Sequence, residues 1–187
     1  MPQDTEGSQE DNPSNHNPMN MLVNETKKIM NDLTIDDGVT RPVADPFLYL
    51  MQDHRQITQH IKLAEEATDH KEQTKHCEHI TTLLTLHAQL EEATLYPTLE
   101  QRNETHDLTE EAYEEHSLTK DLLEQLGNVD AGTDEWKAKL TVLKENIEHH
   151  VLEEEGELFP KAKDILSDAE QKRLAHNMEQ FLQGYEK

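Results

Sequence analysis

Residues 87–97 read HAQLEEATLYP, and residues 150–160 read HVLEEEGELFP. Each stretch carries a histidine, a glutamate four residues on, an aromatic nine on and a proline ten on. Residues four apart lie one turn apart on the same helix face, so each stretch presents an imidazole and a carboxylate together. Apolar positions extend both faces at helical spacing: Ile80, Leu83, Leu90 and Thr94 for the first, Trp136, Leu140, Leu143, Ile147, Val151 and Leu158 for the second. Two further histidines sit on stripes of their own. His54 falls among Phe47, Leu50, Ile57 and Ile61, and His116 among Ala112, Tyr113, Thr119 and Leu123. His87 follows His54 by 33 residues and His150 follows His116 by 34, so the chain reads as two helical hairpins of one design.

Boundary signals mark the helices. Asp45-Pro46 suits an N-cap followed by a first-turn proline, and Asp69…Glu72 and Ser167…Glu170 have capping-box spacing. A third helix spans roughly residues 104–126 and stops at Gly127-Asn128, and a fourth runs from about Thr133 to Leu158. Leu174, Met178, Phe181 and Leu182 make a short last helix. No period-two run appears. The expected fold over residues 45–187 is all-α, an up-and-down antiparallel four-helix bundle with a short fifth C-terminal helix closing one side.

Composition narrows the function. The 187 residues suit one domain, and 17 Lys+Arg against 40 Asp+Glu leave a net charge of −23, which opposes nucleic-acid phosphates and anionic membranes. Residues 1–44 read as an acidic, disordered leader with a short amphipathic helix at 21–33. The leader lacks the basic start and apolar run of a secretion signal, and no apolar stretch reaches the roughly 20 residues that span a bilayer. A single cysteine, Cys77, forms no internal disulfide, and the expected location is the cytoplasm.

Helix depth brings the polar residues together. At about 1.5 Å rise per residue, His54 lies about 12 Å inside the first helix, and Glu91 and His87 lie about 9 and 15 Å before Pro97. Glu154 and His150 repeat that placement before Pro160. Six polar groups at one level of an apolar core need compensation, since buried carboxylates are costly unless paired or metal-bound. A lone histidine on an apolar face is more often a hydrogen-bonded core residue than a ligand, but six coincidences at one depth reverse those odds. Imidazole and carboxylate donors suit first-row divalent ions. We therefore expect two metals bridged by Glu91 and Glu154, with His54 and His87 on one ion and His116 and His150 on the other. The remaining histidines, at positions 16, 60, 70, 76, 79, 106, 149 and 176, read as solvated or rim residues, and Glu153, Glu155 and Glu157 as a solvated helix face. Tyr113 reads as core packing. Neither a Gly-rich phosphate loop nor a nucleophile elbow is present, and a catalytic thiol at Cys77 has little support.

The segments DPFLYLMQDH, LHAQLEEATLYP, EEH and HHVLEEEGELFP together resemble the hemerythrin-like HHE cation-binding domain over roughly residues 45–163. The resemblance implies a non-haem di-iron centre with oxo or hydroxo and carboxylate bridges, held by His54, His87, Glu91, His116, His150 and Glu154. Mn or Zn suits the same ligands. Oxygen-carrying hemerythrins have a fifth histidine one turn after the position of His116, where this chain has Lys120, and their second bridging carboxylate follows its histidine by five residues rather than four. The four-His, two-Glu set is more similar to bacterial members linked to nitric oxide, peroxide or iron–sulfur repair, although residues 1–44 lack the cysteine such repair proteins carry. The expected function is binding or reduction of a small oxidant (O2, NO or peroxide) in stress response, with enzymatic turnover left open. The alternative is a non-catalytic oxygen or iron sensor or carrier; a zinc hydrolase and a metal-free helical adaptor have less support.

Overall fold

A computed structural model of the chain describes residues 42–185. The leader expected over 1–44 lies outside those residues except for 42–44, as does the helix expected at 21–33. In chain order the helices are α1 (Pro46–Glu66), α2 (His70–Leu90), α3 (Tyr96–Leu99), α4 (His106–Gly127), α5 (Asp134–Glu153), α6 (Phe159–Ile165) and α7 (Asp168–Tyr185). No strand occurs among the described residues, and none of their helices is long and apolar enough to cross a membrane.

Local chemistry sets the helix starts. Asp45 accepts hydrogen bonds from the Phe47 and Leu48 amides at 2.9 and 3.0 Å, and Pro46 occupies a first-turn position whose N–H would have no helical partner. Asp69 caps α2 through the Lys71 and Glu72 amides, and the Thr133 hydroxyl caps α5 through the Trp136 amide. Each such cap contributes about 0.5–2 kcal/mol. At α7 the box is reciprocal: Ser167 Oγ accepts from the Glu170 amide while Glu170 accepts from the Ser167 amide at 2.9 Å. The fifth helix expected from the sequence is therefore present, but its 18 residues make it a full-length element rather than a short one. In the link between α4 and α5, Gly132 has φ 80°, and a Cβ there would lie 2.5 Å from the His70 ring.

The sequence reading runs the second helix toward Pro97 and the fourth to about Leu158, short of Pro160, whereas the structure carries each of them through. Wide turns at Glu91–Leu95 and Glu154–Leu158 join α2 to α3 and α5 to α6. Each closes with a bond five residues long, Tyr96 N–H to Glu91 C=O and Phe159 N–H to Glu154 C=O. A proline in a regular helix interior loses a hydrogen bond and clashes with the carbonyl four residues back. A π-type turn placed just before it lengthens that spacing and lets the helix continue.

Cross-helix contacts fix the topology. His54 meets His87 and His60 meets His76 between α1 and α2. Thr119 meets Asn146 and Gln125 meets Lys139 between α4 and α5. In both hairpins, residues later in one helix meet residues earlier in the other, so the helices run antiparallel. Helix α1 also packs against α5, α2 against α4, and α7 against α1, α2 and the first wide turn. The apolar core falls into two clusters. One, around Phe47, Leu50, Leu90, Leu95, Leu99, Leu158 and Phe159, is closed by Leu174, Met178 and Leu182 of α7. The other gathers Ile57, Ile61, Ile80, Leu84, Leu126, Trp136, Leu140 and Leu143. In α1, α2 and α4, His54, His87 and His116 fall between positions belonging to the two clusters.

Candidate metal centre

His54 from α1, His87 from α2, His116 from α4, His150 from α5, and Glu91 and Glu154 from the first residues of the two wide turns form one buried layer, each between 0 and 3 % exposed. Their inner atoms crowd together. His54 Nε2 lies 3.0 Å from His87 Nε2 and 3.3 Å from Glu154 Oε2. Glu91 Oε2 lies 3.2 Å from His87 Nε2 and 3.4 Å from His116 Nε2, and Glu154 Oε2 lies 3.5 Å from His150 Nε2. Two donors bound about 2.1 Å from one ion at right angles are separated by about 3.0 Å, so these spacings suit shared cations. The donors fall into two overlapping groups, His54, His87, His150 and Glu154 in one, Glu91, His116 and His150 in the other, each with its ligand atoms within 4.8 Å. His150 thus stands between the two pairs that the sequence suggests.

Three of the four imidazoles are held from behind. His54 Nδ1 is 2.9 Å from Glu155 Oε1, His116 Nδ1 is 3.0 Å from Glu92 Oε1, and His150 Nδ1 is 2.8 Å from Glu115 Oε2. A carboxylate on Nδ1 fixes the tautomer that leaves the Nε2 lone pair facing the centre. Sequence reasoning missed these three glutamates and placed Glu155 on a solvated face. Glu92 and Glu155 are instead each 26 % exposed and turned toward a histidine. The repeat itself carried a signal for them, since a second glutamate follows the first in both LEEA and EEEG. Lys120, which stands at the position of the fifth histidine of oxygen carriers, pairs with Glu92 at 2.8 Å. The hydrogen bond from His116, and then Lys120, hold Glu92 below the usual carboxylate range.

The repeated aromatics also reach the layer. The Tyr96 hydroxyl lies 2.9 Å from Glu154 Oε1, to which it donates, and 3.3 Å from both Glu91 Oε2 and His116 Nε2. Phe159, its counterpart, stacks on His54 with centroids 6.0 Å apart and planes 9° apart. In an α-helix a residue five positions on is rotated about 140° away, but in a turn closed by an i to i+5 bond it sits above the first, as i+4 does in an α-helix. The wide turns therefore bring Tyr96 over Glu91 and Phe159 over Glu154. Tyr113 packs edge-on against Tyr96 at 5.0 Å, a packing role as expected.

Electrostatics set the two buried carboxyls apart. Burial, and then the charge of Glu154, hold Glu91 well above the ordinary carboxylate range. Burial pushes Glu154 upward too, but His150, His54 and His87 outweigh it and hold that carboxyl below its usual range. Burial, and then His54, keep His87 well below the normal imidazole value, whereas at His54 and His150 burial is overcome by carboxylates, Glu154 foremost. Protons alone thus split two like carboxyls into a neutral acid and an anion. Among the described residues, Glu91 Oε1, Glu154 Oε2 and His150 Nε2 are buried without a hydrogen-bond partner. Buried polar atoms of that kind are costly, and metal cations satisfy all three at once. The donor set fits such ions.

The other histidines do not all behave as expected. His149 is exposed and pairs loosely with Glu115 and Glu153 at 3.5 and 3.6 Å, outside the layer. His79 is buried, contrary to the rim position expected from sequence, because its flank of α2 turns toward His60 of α1. His60 and His76 are half-buried beside it, and His16 lies outside the described residues. Cys77 faces Trp136, and burial pushes its thiol up to about 11.

Comparison with known proteins agrees with this geometry. The hemerythrin HHE cation-binding domain model matches residues 45–162, more than half of the chain. A DNA nickase of Nostoc sp. is 29 % identical over 126 residues, covering 67 % of this chain and 36 % of that protein. An uncharacterized hemerythrin-like protein of Schizosaccharomyces pombe is 26 % identical over 132 residues, covering 70 % of this chain and 65 % of its own. The chain thus spans about a third of the first relative and just under two thirds of the second. By the match over residues 45–162 and the His/Glu layer it encloses, this chain belongs to the hemerythrin HHE cation-binding domain family.

Proposed function

We propose that the chain is a non-haem di-iron protein of the cytoplasm that binds or reduces a small oxidant, O2, NO or peroxide, in a stress response. His54, His87, Glu91, His116, His150 and Glu154 hold the metals. The observation that carries this reading is a buried layer of four imidazoles and two carboxylates, three imidazoles being oriented by outer glutamates. Iron bound there would supply the redox change and the open coordination that a diatomic molecule or a peroxide requires. The protein's own contribution is positional. Glu115, Glu92 and Glu155 keep Nε2 lone pairs inward, the Tyr96 hydroxyl offers a proton donor to the carboxylates, and the apolar clusters on both sides keep bulk water away. We do not carry over the activity in the Nostoc relative's name, because a net charge of −23 opposes DNA.

Anaerobic loading with ferrous iron, followed by titration with O2, NO or peroxide, tests the proposal by visible absorption. An oxidant-dependent band is expected in the wild type and is lost in His87→Ala. A band that forms once per centre without turnover identifies the carrier or sensor form of the same chemistry. Iron-loaded protein that responds to none of the three oxidants would remove the proposal.

A further inference from the structure

We infer that His60, His76 and His79 form a second cation site, a three-imidazole seat for a divalent ion of the zinc class, distinct from the central layer. His76 and His79 are three residues apart on one face of α2, and His60 faces them from α1. Their ligand nitrogens all lie within 4.8 Å of one another. His60 Nδ1 and His76 Nδ1 are 3.3 Å apart, and the His60 and His79 rings are 4.9 Å apart and nearly perpendicular. Two nitrogens bound about 2.0–2.1 Å from a tetrahedral ion stand about 3.4 Å apart. The 3.3 Å separation, across which one ring N–H donates to the other ring in metal-free protein, matches that edge. Three neutral imidazoles with a fourth position open to water are an established donor set for zinc.

The surroundings favour the neutral, metal-binding form. Burial first, then the neighbouring His79 and His76, push His60 down to about 4, so its lone pair is free at neutral pH. His79 is buried while His60 and His76 are half-exposed, which gives the seat a rigid floor and an entry path. Cys77, between the two α2 histidines, faces Trp136 instead. His60 lies six residues beyond His54 on α1, about 9 Å along the axis, so this seat is separate from the central donors.

Zinc titration of the full chain tests the assignment, with bound zinc per chain counted by elemental analysis after gel filtration and imidazole 15N shifts as a second readout. Wild type is expected to hold one zinc more than the His60→Ala and His76→Ala variants. In both, affinity for that ion falls by more than the roughly 10- to 100-fold that loss of an outer-shell partner costs. His87→Ala keeps this ion while losing central metal, which separates the inference from the proposed function. Both test variants alter half-exposed residues, and circular dichroism confirms their fold. Equal zinc stoichiometry in wild type, His60→Ala and His76→Ala, or 15N shifts of His60 and His76 unmoved by zinc, would overturn the assignment.

Discussion

Replacing Glu91 by glutamine separates a metal-binding carboxylate from a merely hydrogen-bonded one. Glu91 is fully buried, and burial together with Glu154 already favours its protonated form in metal-free protein. Glutamine is neutral and has the same shape. Its carbonyl can take the place of Oε2, near the Tyr96 hydroxyl at 3.3 Å and His87 Nε2 at 3.2 Å, while its NH2 takes the place of Oε1, which has no hydrogen-bond partner among the described residues. The protonated acid faces the same unmet donor, so metal-free Glu91→Gln should match metal-free wild type within about 1 kcal/mol, the net worth of one hydrogen bond. The metal-loaded proteins should differ. A ligand at about 1,000 times its Kd stabilises the native state by about 4 kcal/mol. For a chain of this size that raises Tm by roughly 8–16 °C. Differential scanning calorimetry under anaerobic ferrous iron should show this rise in wild type and only a small part of it in Glu91→Gln. A full metal-dependent rise in the variant, or a metal-free variant several kcal/mol less stable than wild type, would refute the reasoning.

Glu115→Gln should leave the fold intact but lower metal affinity about 10- to 100-fold, measured by competition with a chelator, because Glu115 orients His150 at 2.8 Å. Gly156→Ala should stabilise the protein by about 0.5–1 kcal/mol in urea unfolding, since Gly156 lies in a helical turn where a Cβ would meet nothing within 4 Å. Gly132→Ala should instead cost about 1–2 kcal/mol in the same assay, from its φ of 80° and the His70 ring 2.5 Å away. Folded His60 titrates near 4 against about 6.5 unfolded, so between those values the unfolded chain binds more protons. Metal-free stability is therefore present above pH 6.5 and falls as pH drops toward 4. Solvent screening at this half-exposed site limits the loss to about 1 kcal/mol. Urea midpoints across that range should fall less in His60→Gln than in wild type.

Much of this molecule was legible because helix caps and apolar stripes act locally. Asp45, Asp69 and Ser167 cap where the sequence places them, and the stripes through Ile57, Ile80 and Leu143 bury as spaced. What escaped depends on departures from a 3.6-residue period. With that period Tyr96 points away from Glu91, and only a wider turn brings it to the layer. Prolines read as helix stops for the same reason. Glu115 escaped because one residue before a stripe histidine looks exposed until the neighbouring helix supplies His150. His79 was misplaced because α2 buries two flanks, one toward the central layer and one toward α1.

The division of the apolar core by a polar layer bears on how the chain is held in one topology. Each half has its own cluster, and across the layer the helices are joined by groups that repel or titrate rather than by oil-like contact. A cation shared by His54 and Glu154, whose ligand atoms lie 3.3 Å apart, would tie together positions about 100 residues apart in sequence. Closing a loop of that length removes about 4–5 kcal/mol of denatured-chain freedom, by the reasoning applied to disulfides. Metal at the centre would thus do the work of a covalent cross-link in a chain whose lone cysteine cannot form one internally.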